Sequence, residues 1–256
     1  MASANNASFS QNFSLDPQRP RLHRVPTGIK GFDELIEGGL EEKTNILVAG
    51  YAGTGKTTFS MEFLYNGITQ YNEPGVYLSF AESKESIYRH CLNFGWDFAM
   101  LEQRGMFRHQ FYKAHQVNKL IEEGGGTVRD TIQEINAKRL VIDSITAYGL
   151  LFRDDYKQRE ALLVFFEMLV KWGCTSLIIS EQATDLQDAR AGEIGFLTDG
   201  IINFYYARTE DDKGNVLRHH KLEILKMRGT AHYNGVVDMD FSPNGVSVRQ
   251  PKDMLE

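Results

Sequence analysis

The sequence predicts an α/β fold: a mostly parallel central sheet with helices on both faces and an antiparallel C-terminal extension. Three observations predict it. Short apolar runs alternate with helical patterns from Thr44 to Ser180, which stacks parallel strands between helical layers. A glycine-rich loop, Gly50 to Thr57, joins the first of those runs to a helical stripe. The last apolar runs follow one another without helices between them, so they extend one edge of the sheet as antiparallel strands.

Each element can be justified in order. Arg24 to Leu40 is an N-terminal segment in which Pro26-Thr27-Gly28 turns, Phe32 to Ile36 makes a helical turn, and Gly38-Gly39 stops it. Thr44 to Ala49 is a strand, and the helix after the glycine-rich loop places Phe59, Phe63 and Leu64 on one stripe. Gly75 to Ala81 is a strand and Lys84 to Phe94 a helix. Phe107 to Tyr112 is a strand, and Gly124-Gly125-Gly126 breaks the chain before a helix over Thr127 to Asn136. Arg139 to Ile142 is a buried strand ending in Asp143-Ser144. Arg159 to Trp172 is an apolar helix, and Thr175 to Ser180 another strand. Gly200 to Tyr206, Lys221 to Met227, and a hairpin of Gly235 to Phe241 with Gly245 to Arg249 complete the sheet.

Composition bounds the rest. The chain has 256 residues, enough for one large domain, expected over 21–256. Residues 1–20 are polar and rich in Asn, Ser and Gln, and read as a disordered tail. No run approaches the ~18 apolar residues of a membrane span, and no secretory-type apolar stretch is present, so a cytoplasmic protein is expected. Cys91 and Cys174 lie far apart without metal-type spacing and read as buried thiols. The net charge of −6 disfavours broad affinity for nucleic acid.

Gly50-Tyr51-Ala52-Gly53-Thr54-Gly55-Lys56-Thr57 fits the pattern G-x-x-x-x-G-K-[ST]. Its glycines let successive backbone N–H groups point into one concavity, and the following helix aims its positive end there. Lys56 is placed to reach the β- and γ-phosphates of a nucleotide, and Thr57 to hold Mg²⁺ through its hydroxyl. Asp143 ends an apolar strand, where a carboxylate can hold the Mg²⁺ hydration shell. Glu82 follows another strand in the same way and is placed to orient or deprotonate water, or to sit near the metal. Each also has a plain structural reading: Asp143 as a turn residue, Glu82 as an acid favouring a helix dipole.

Taken together, Pro26 to Leu40, the loop Gly50 to Thr58, Phe94-Gly95-Trp96-Asp97, Val141-Ile142-Asp143-Ser144, Thr198-Asp199-Gly200, and Leu222 to His232 resemble the KaiC family of RecA-like P-loop ATPases, in order. The resemblance covers roughly residues 22–250, and Lys226-Met227-Arg228-Gly229-Thr230-Ala231-His232 is its specific part. KaiC has two such domains in tandem; the match here is to one. The resemblance implies an ATP hydrolase with ATP and Mg²⁺ as cofactors, assembled as a six-membered ring with nucleotide at each interface and acting as a regulatory module. It implies nucleotide contacts from Ala52, Gly53, Thr54, Gly55, Lys56, Thr57 and Thr58 of one subunit. Lys226, Met227, Arg228, Thr230 and His232 would come from its neighbour, and Asn93 and Trp96 would lie near the base. Trp96 reads equally as core. Lys226 and Arg228 stand two apart on a predicted strand, so both are expected on one face, with Leu225 and Met227 on the other. Two cations there would act on the γ-phosphate from the neighbour.

One position departs from the family. KaiC carries adjacent glutamates after this strand; here the first is Ala81 and only Glu82 remains. RecA-like enzymes work with one glutamate, so slow turnover is compatible with the change, and an ATP-gated scaffold with negligible hydrolysis is the alternative. A RecA-type role in DNA repair is the other. RecA proteins hold DNA on two loops, here Phe152 to Glu160 and Glu181 to Asp199. The first is neutral, with Arg153, Lys157 and Arg159 against Asp154, Asp155 and Glu160. The second sets Glu181, Asp185, Asp188, Glu193 and Asp199 against Arg190 alone, a net of −4 that repels phosphates. Arg19, Arg21, His23 and Arg24 form a small basic cluster that reads as solvated.

Overall fold

A computed structural model describes residues 23–113, 116–117, 125–152, 154–181, 195–210 and 214–251. The expected tail, Arg19, Arg21, Gly124, Arg153 and the loop residues 182–194 lie outside them. A small antiparallel pair, β1 (Arg24–Val25) and β2 (Leu40–Glu41), frames a 3-10 turn over Asp33–Ile36. The main sheet has nine strands: β3 (Asn45–Gly50), β4 (Gly75–Ser79), β5 (Phe107–Phe111), β6 (Arg139–Asp143), β7 (Thr175–Ser180), β8 (Gly200–Glu210), β9 (Val216–Met227), β10 (Val236–Ser242) and β11 (Gly245–Val248). Their order is β11-β10-β9-β8-β3-β7-β6-β4-β5. From β8 to β5 neighbours run parallel, and from β8 to β11 antiparallel.

The helices are α1 (Lys56–Tyr71), α2 (Lys84–Leu92), α3 (Phe98–Gln103), α4 (Gly126–Glu134), α5 (Ile145–Gly149) and α6 (Asp155–Trp172). They form two layers, which the strands show by alternation. Ile46, Val48, Tyr77, Val141, Leu177 and Ile179 pack with Phe59 and Phe63 of α1 and Ile87 of α2. Leu47, Val76, Leu78, Leu140, Ile142 and Ile178 face the other way, onto Ile132 of α4 and Phe165 and Leu169 of α6. Because both faces are buried, the central strands read as continuous apolar runs.

Several boundaries differ from the sequence reading. α2 ends at Leu92, with Asn93 as its cap, and α6 begins at Asp155, where the Asp154 carboxylate accepts from the Lys157 amide. β8 and β9 run well past Tyr206 and start well before Lys221, as a long hairpin. Its outer half is polar and carries no apolar run to betray it. The expected parity at Leu225 also fails. A register shift between Ile201 and Ile202 leaves Leu225 as an extra residue. Leu225 then packs against one layer and Met227 against the other, and the strand stops before Arg228.

Arg139, at the start of β6, is fully buried. It pairs with Glu73 at 2.6 Å, donates to the carbonyls of Phe63 and Pro26 at 2.8 and 2.7 Å, and lies over the Phe63 ring. One guanidinium thereby joins the N-terminal segment, α1 and the sheet.

Candidate nucleotide site at the carboxyl edge

The carboxyl ends of the parallel strands β3, β4, β6 and β7 lie along one edge of the sheet, and the polar residues of the candidate site lie on or just past them. The loop after β3 turns through left-handed glycines, Gly53 at φ 81° and Gly55 at φ 96°, where a side chain would be strained. Gly55 also has no room for one: a Cβ there would lie 2.1 Å from the Phe241 ring. Lys56 is buried, and its ammonium donates to the Tyr51 carbonyl at 2.8 Å. The Thr57 hydroxyl donates to Asp143 Oδ2 at 2.7 Å, and the Tyr77 hydroxyl reaches the same oxygen at 3.0 Å.

Two further acids stand beside them. Glu82 lies between β4 and α2. The Ser79 hydroxyl fixes its backbone, donating to the Glu82 carbonyl at 2.9 Å and accepting from its amide at 3.0 Å. Its carboxylate accepts from Ser86 Oγ at 2.8 Å and has His90 Nδ1 beside the same oxygen at 2.9 Å, in ion-pair range. Glu181 follows β7. Its amide donates to the Thr146 hydroxyl at 2.9 Å, and Ser144 Oγ donates to Oε1 at 3.3 Å. The sequence reading counted Glu181 only as loop charge. The rule that picked Asp143 and Glu82, an acid just past an apolar strand, would have found it.

Burial pushes the Lys56 ammonium below the ordinary lysine range, while Asp143 and Glu181 pull it back up. Burial pushes the Asp143 carboxyl up, opposed by the bonds from Thr57 and Tyr77 and by the Lys56 charge. A desolvated carboxylate beside a desolvated ammonium favours a further compact cation. Thr57 and Asp143 supply a hydroxyl and a carboxylate in contact, the hard oxygen donors that suit Mg²⁺ when phosphate oxygens complete its shell. The residues present therefore fit that ion.

The antiparallel extension braces the loop from the side. Tyr206 of β8 donates its hydroxyl to the Gly53 carbonyl, and His220 Nδ1 lies 3.4 Å from the Thr54 carbonyl. The rings of Tyr206, His220 and Phe241 meet in sequence at 4.7 Å centroid spacings, tilted and edge-on to one another. Glu62 of α1 holds the β10–β11 hairpin by accepting from the Val246 amide at 2.6 Å, and burial raises its carboxyl to about 7. None of these contacts is legible from spacing, since the partners lie far apart in sequence.

A hollow beside the loop is lined by Thr57, Thr58, Glu82, His90, Phe94 and Trp96. Trp96 is buried and stacks between Phe94 and Tyr65, so it belongs to the core as well as to the back of this hollow. Asn93 is exposed at the end of α2.

Lys226, Met227, Arg228, Thr230 and His232 are not brought to this edge. Lys226 pairs with Ile201, which pairs with Leu47 near the start of β3, whereas the loop follows Gly50 at its end. His220, at the loop, and Lys226 are six residues apart on one strand, roughly 20 Å. At this amino edge Lys226 donates to the Gly195 carbonyl at 2.7 Å, and Arg228 lies 3.1 Å from the Phe196 carbonyl and 3.5 Å from Asp199. Both cations thus converge on one short segment, despite the broken parity. Arg24 donates to the Thr230 hydroxyl, and His232 Nδ1 lies 3.3 Å from the Tyr233 carbonyl.

Comparison with known proteins agrees with this geometry. The family model "ATPase: KaiC" matches residues 25–253. The UPF0273 protein PH0284 of Pyrococcus horikoshii is 33% identical over 242 residues, covering 90% of this chain and 95% of that protein. The circadian clock oscillator protein KaiC of Prochlorococcus marinus is 33% identical over 239 residues, 89% of this chain. The chain spans about half the length of that relative, 46%. Among solved structures, the KaiC-like protein PH0186 of Pyrococcus horikoshii superposes with a TM-score of 0.78 at 34% identity, covering 90% of this chain and all of the other. Among the described residues, no helix is long and apolar enough to cross a membrane. A RecA-type sheet, a phosphate loop at its carboxyl edge and a family match along nearly the whole chain lead to one assignment: this protein belongs to the KaiC ATPase family.

Proposed function

We propose that the chain is a Mg²⁺-dependent ATP hydrolase whose active sites form between copies in a ring, six in number by family resemblance, and that nucleotide state controls a regulatory output. The observation that carries this reading is the split between the two edges. The loop, Asp143 and Glu82 lie at one edge, and the cations of the family motif lie roughly 20 Å away at the other. One subunit cannot close its own site, and a neighbour presenting its amino edge can.

The chemistry follows from the residues. The loop amides and Lys56 bind the β- and γ-phosphates, and Thr57 and Asp143 would hold Mg²⁺, which neutralises phosphate charge when bound. Glu82 orients a water and accepts its proton as the water oxygen bonds to the γ-phosphorus. The bond from that phosphorus to the β–γ bridging oxygen breaks, and ADP leaves. Lys226 and Arg228 of the neighbour stabilise the charge that develops on the transferring group.

One position favours a second reading, an ATP-gated scaffold. Ala81 stands exposed beside Glu82 and supplies no second carboxylate. Measuring ATP hydrolysis with molar mass by light scattering separates the two. The expected result is turnover in the wild type and ATP-dependent rings without turnover in Glu82→Gln, a loss of about 10²–10⁴ in rate. Lys56→Ala should lose binding and rings together. Rings without turnover in the wild type would establish the scaffold instead.

A further inference from the structure

We infer that His90 is a positioning residue that, with Ser86, sets the orientation of the Glu82 carboxylate. The inference rests on the ATPase reading above. Glu82, Ser86 and His90 follow one another at four-residue spacing, so the helix places Ser86 and His90 on the same face as the Glu82 carboxylate. Ser86 Oγ donates to Glu82 Oε1 at 2.8 Å, and His90 Nδ1 lies 2.9 Å from the same oxygen. A carboxylate only accepts, so this approach is favourable with hydrogen on Nδ1. Among the described residues no hydrogen bond reaches the other oxygen, Oε2.

A hydrogen bond and an ion-pair contact on one oxygen restrain rotation about the carboxylate axis. The Ser79 hydroxyl restrains the backbone of the same residue from both its amide and its carbonyl. One oxygen of Glu82 is thus held and the other left available to a water. His90 and Glu82 both line the hollow that holds Thr57, so the restrained group faces the nucleotide loop. With Ala81 in place of a second carboxylate, the orientation of Glu82 rests on these neighbours. A misplacement of about 1 Å at a reacting group can cost a hundred-fold in rate, which is ample reason to fix it.

The test uses two substitutions chosen for shape. His90→Phe keeps a ring and removes the donor; His90→Asn keeps an N–H the same number of bonds from the backbone. The expected result for His90→Phe is a kcat lowered roughly ten- to a hundred-fold with the KM for ATP unchanged. His90→Asn should return to within about three-fold of wild type, and Ser86→Ala should show a smaller loss of the same kind. In a Glu82→Gln background, single-turnover rates should be the same with and without His90→Phe. A shift in KM or ADP affinity with kcat intact would make His90 a nucleotide contact and overturn the proposal. So would an equal loss in the Glu82→Gln background, or no change at all. If His90→Phe does not fold, as judged by its melting curve, the Asn and Ser86→Ala variants decide by the same criteria. A wild-type protein that binds ATP without turning it over refutes the ATPase reading itself, before any variant is compared.

Discussion

The two edges of the sheet are built from the same kinds of residue to opposite effect. At the carboxyl edge Asp143 and Glu181 stand near Lys56, with Glu82 lining the hollow beside Thr57, and burial disfavours the charged forms of both Asp143 and Lys56. At the amino edge, Lys226 and Arg228 stand partly or largely exposed, satisfied by carbonyls of residues 195–198 and by Asp199. The first edge is short of positive charge and the second offers it outward. In the proposed function these two edges are complementary, and joining the carboxyl edge of one copy to the amino edge of another would complete the site.

The strongest way to break that comparison is to separate the edges genetically. Glu82→Gln, expected to keep rings, and Arg228→Ala should each lose most turnover alone, the arginine because a cation supplied in trans is worth about 10³–10⁵ in rate. Mixed in equal amounts and allowed to exchange, they should recover about a quarter of wild-type activity, the share of interfaces that pair an intact Glu82 with an intact arginine. No recovery, with mixed assembly verified by mass, would place both residues in one site of one chain and end the interfacial reading.

A second experiment sharpens the description of the carboxyl edge. Glu62, whose carboxyl is raised from 4.5 to about 7 by burial, holds the hairpin that carries Phe241 against Gly55. A raised carboxyl binds protons more readily folded than unfolded. Its stabilising contribution is therefore complete below pH 4.5 and is lost as pH rises to 7, by roughly 3 kcal/mol. Glu62→Gln keeps an acceptor for the Val246 amide and removes the titration. Denaturant unfolding of the variant should lose that slope between pH 4.5 and 7 and gain stability at pH 8. An unchanged slope would assign the pH dependence to other groups.

The smallest expected effect concerns the brace. Tyr206→Phe removes one hydroxyl bond to the Gly53 carbonyl, and about 1 kcal/mol corresponds to roughly five-fold weaker ATP binding. Isothermal titration would read it, and unaltered affinity would mean that the loop holds its shape without this bond.

Much of this arrangement could be read from the sequence. The apolar runs place the central strands because both faces of each are buried, and the glycine-rich loop and strand-end acids follow from the same pattern. What escaped depends on three dimensions. The bulge at Leu225 comes from pairing with β8 and has no mark in the local sequence. Tyr206, His220 and Phe241 reach the loop from more than a hundred residues away. His90 was within reach, since Glu82, Ser86 and His90 repeat at helical spacing, but a histidine gains meaning only once its helix is known to start beside the acid.

β9 places His220 beside the glycine-rich loop and carries Lys226, the cation assigned to a neighbouring site in the proposed ring, near its far end. It pairs with β8 along this stretch and with β10 from His220 to Glu223, and the bulge at Leu225 interrupts the ladder one residue before Lys226. A bulge bends its strand. In the proposed ring, a shift of the loop at one site would travel along the paired segment and reach Lys226 at the next site through this joint, so the bulge would set how much of the movement arrives.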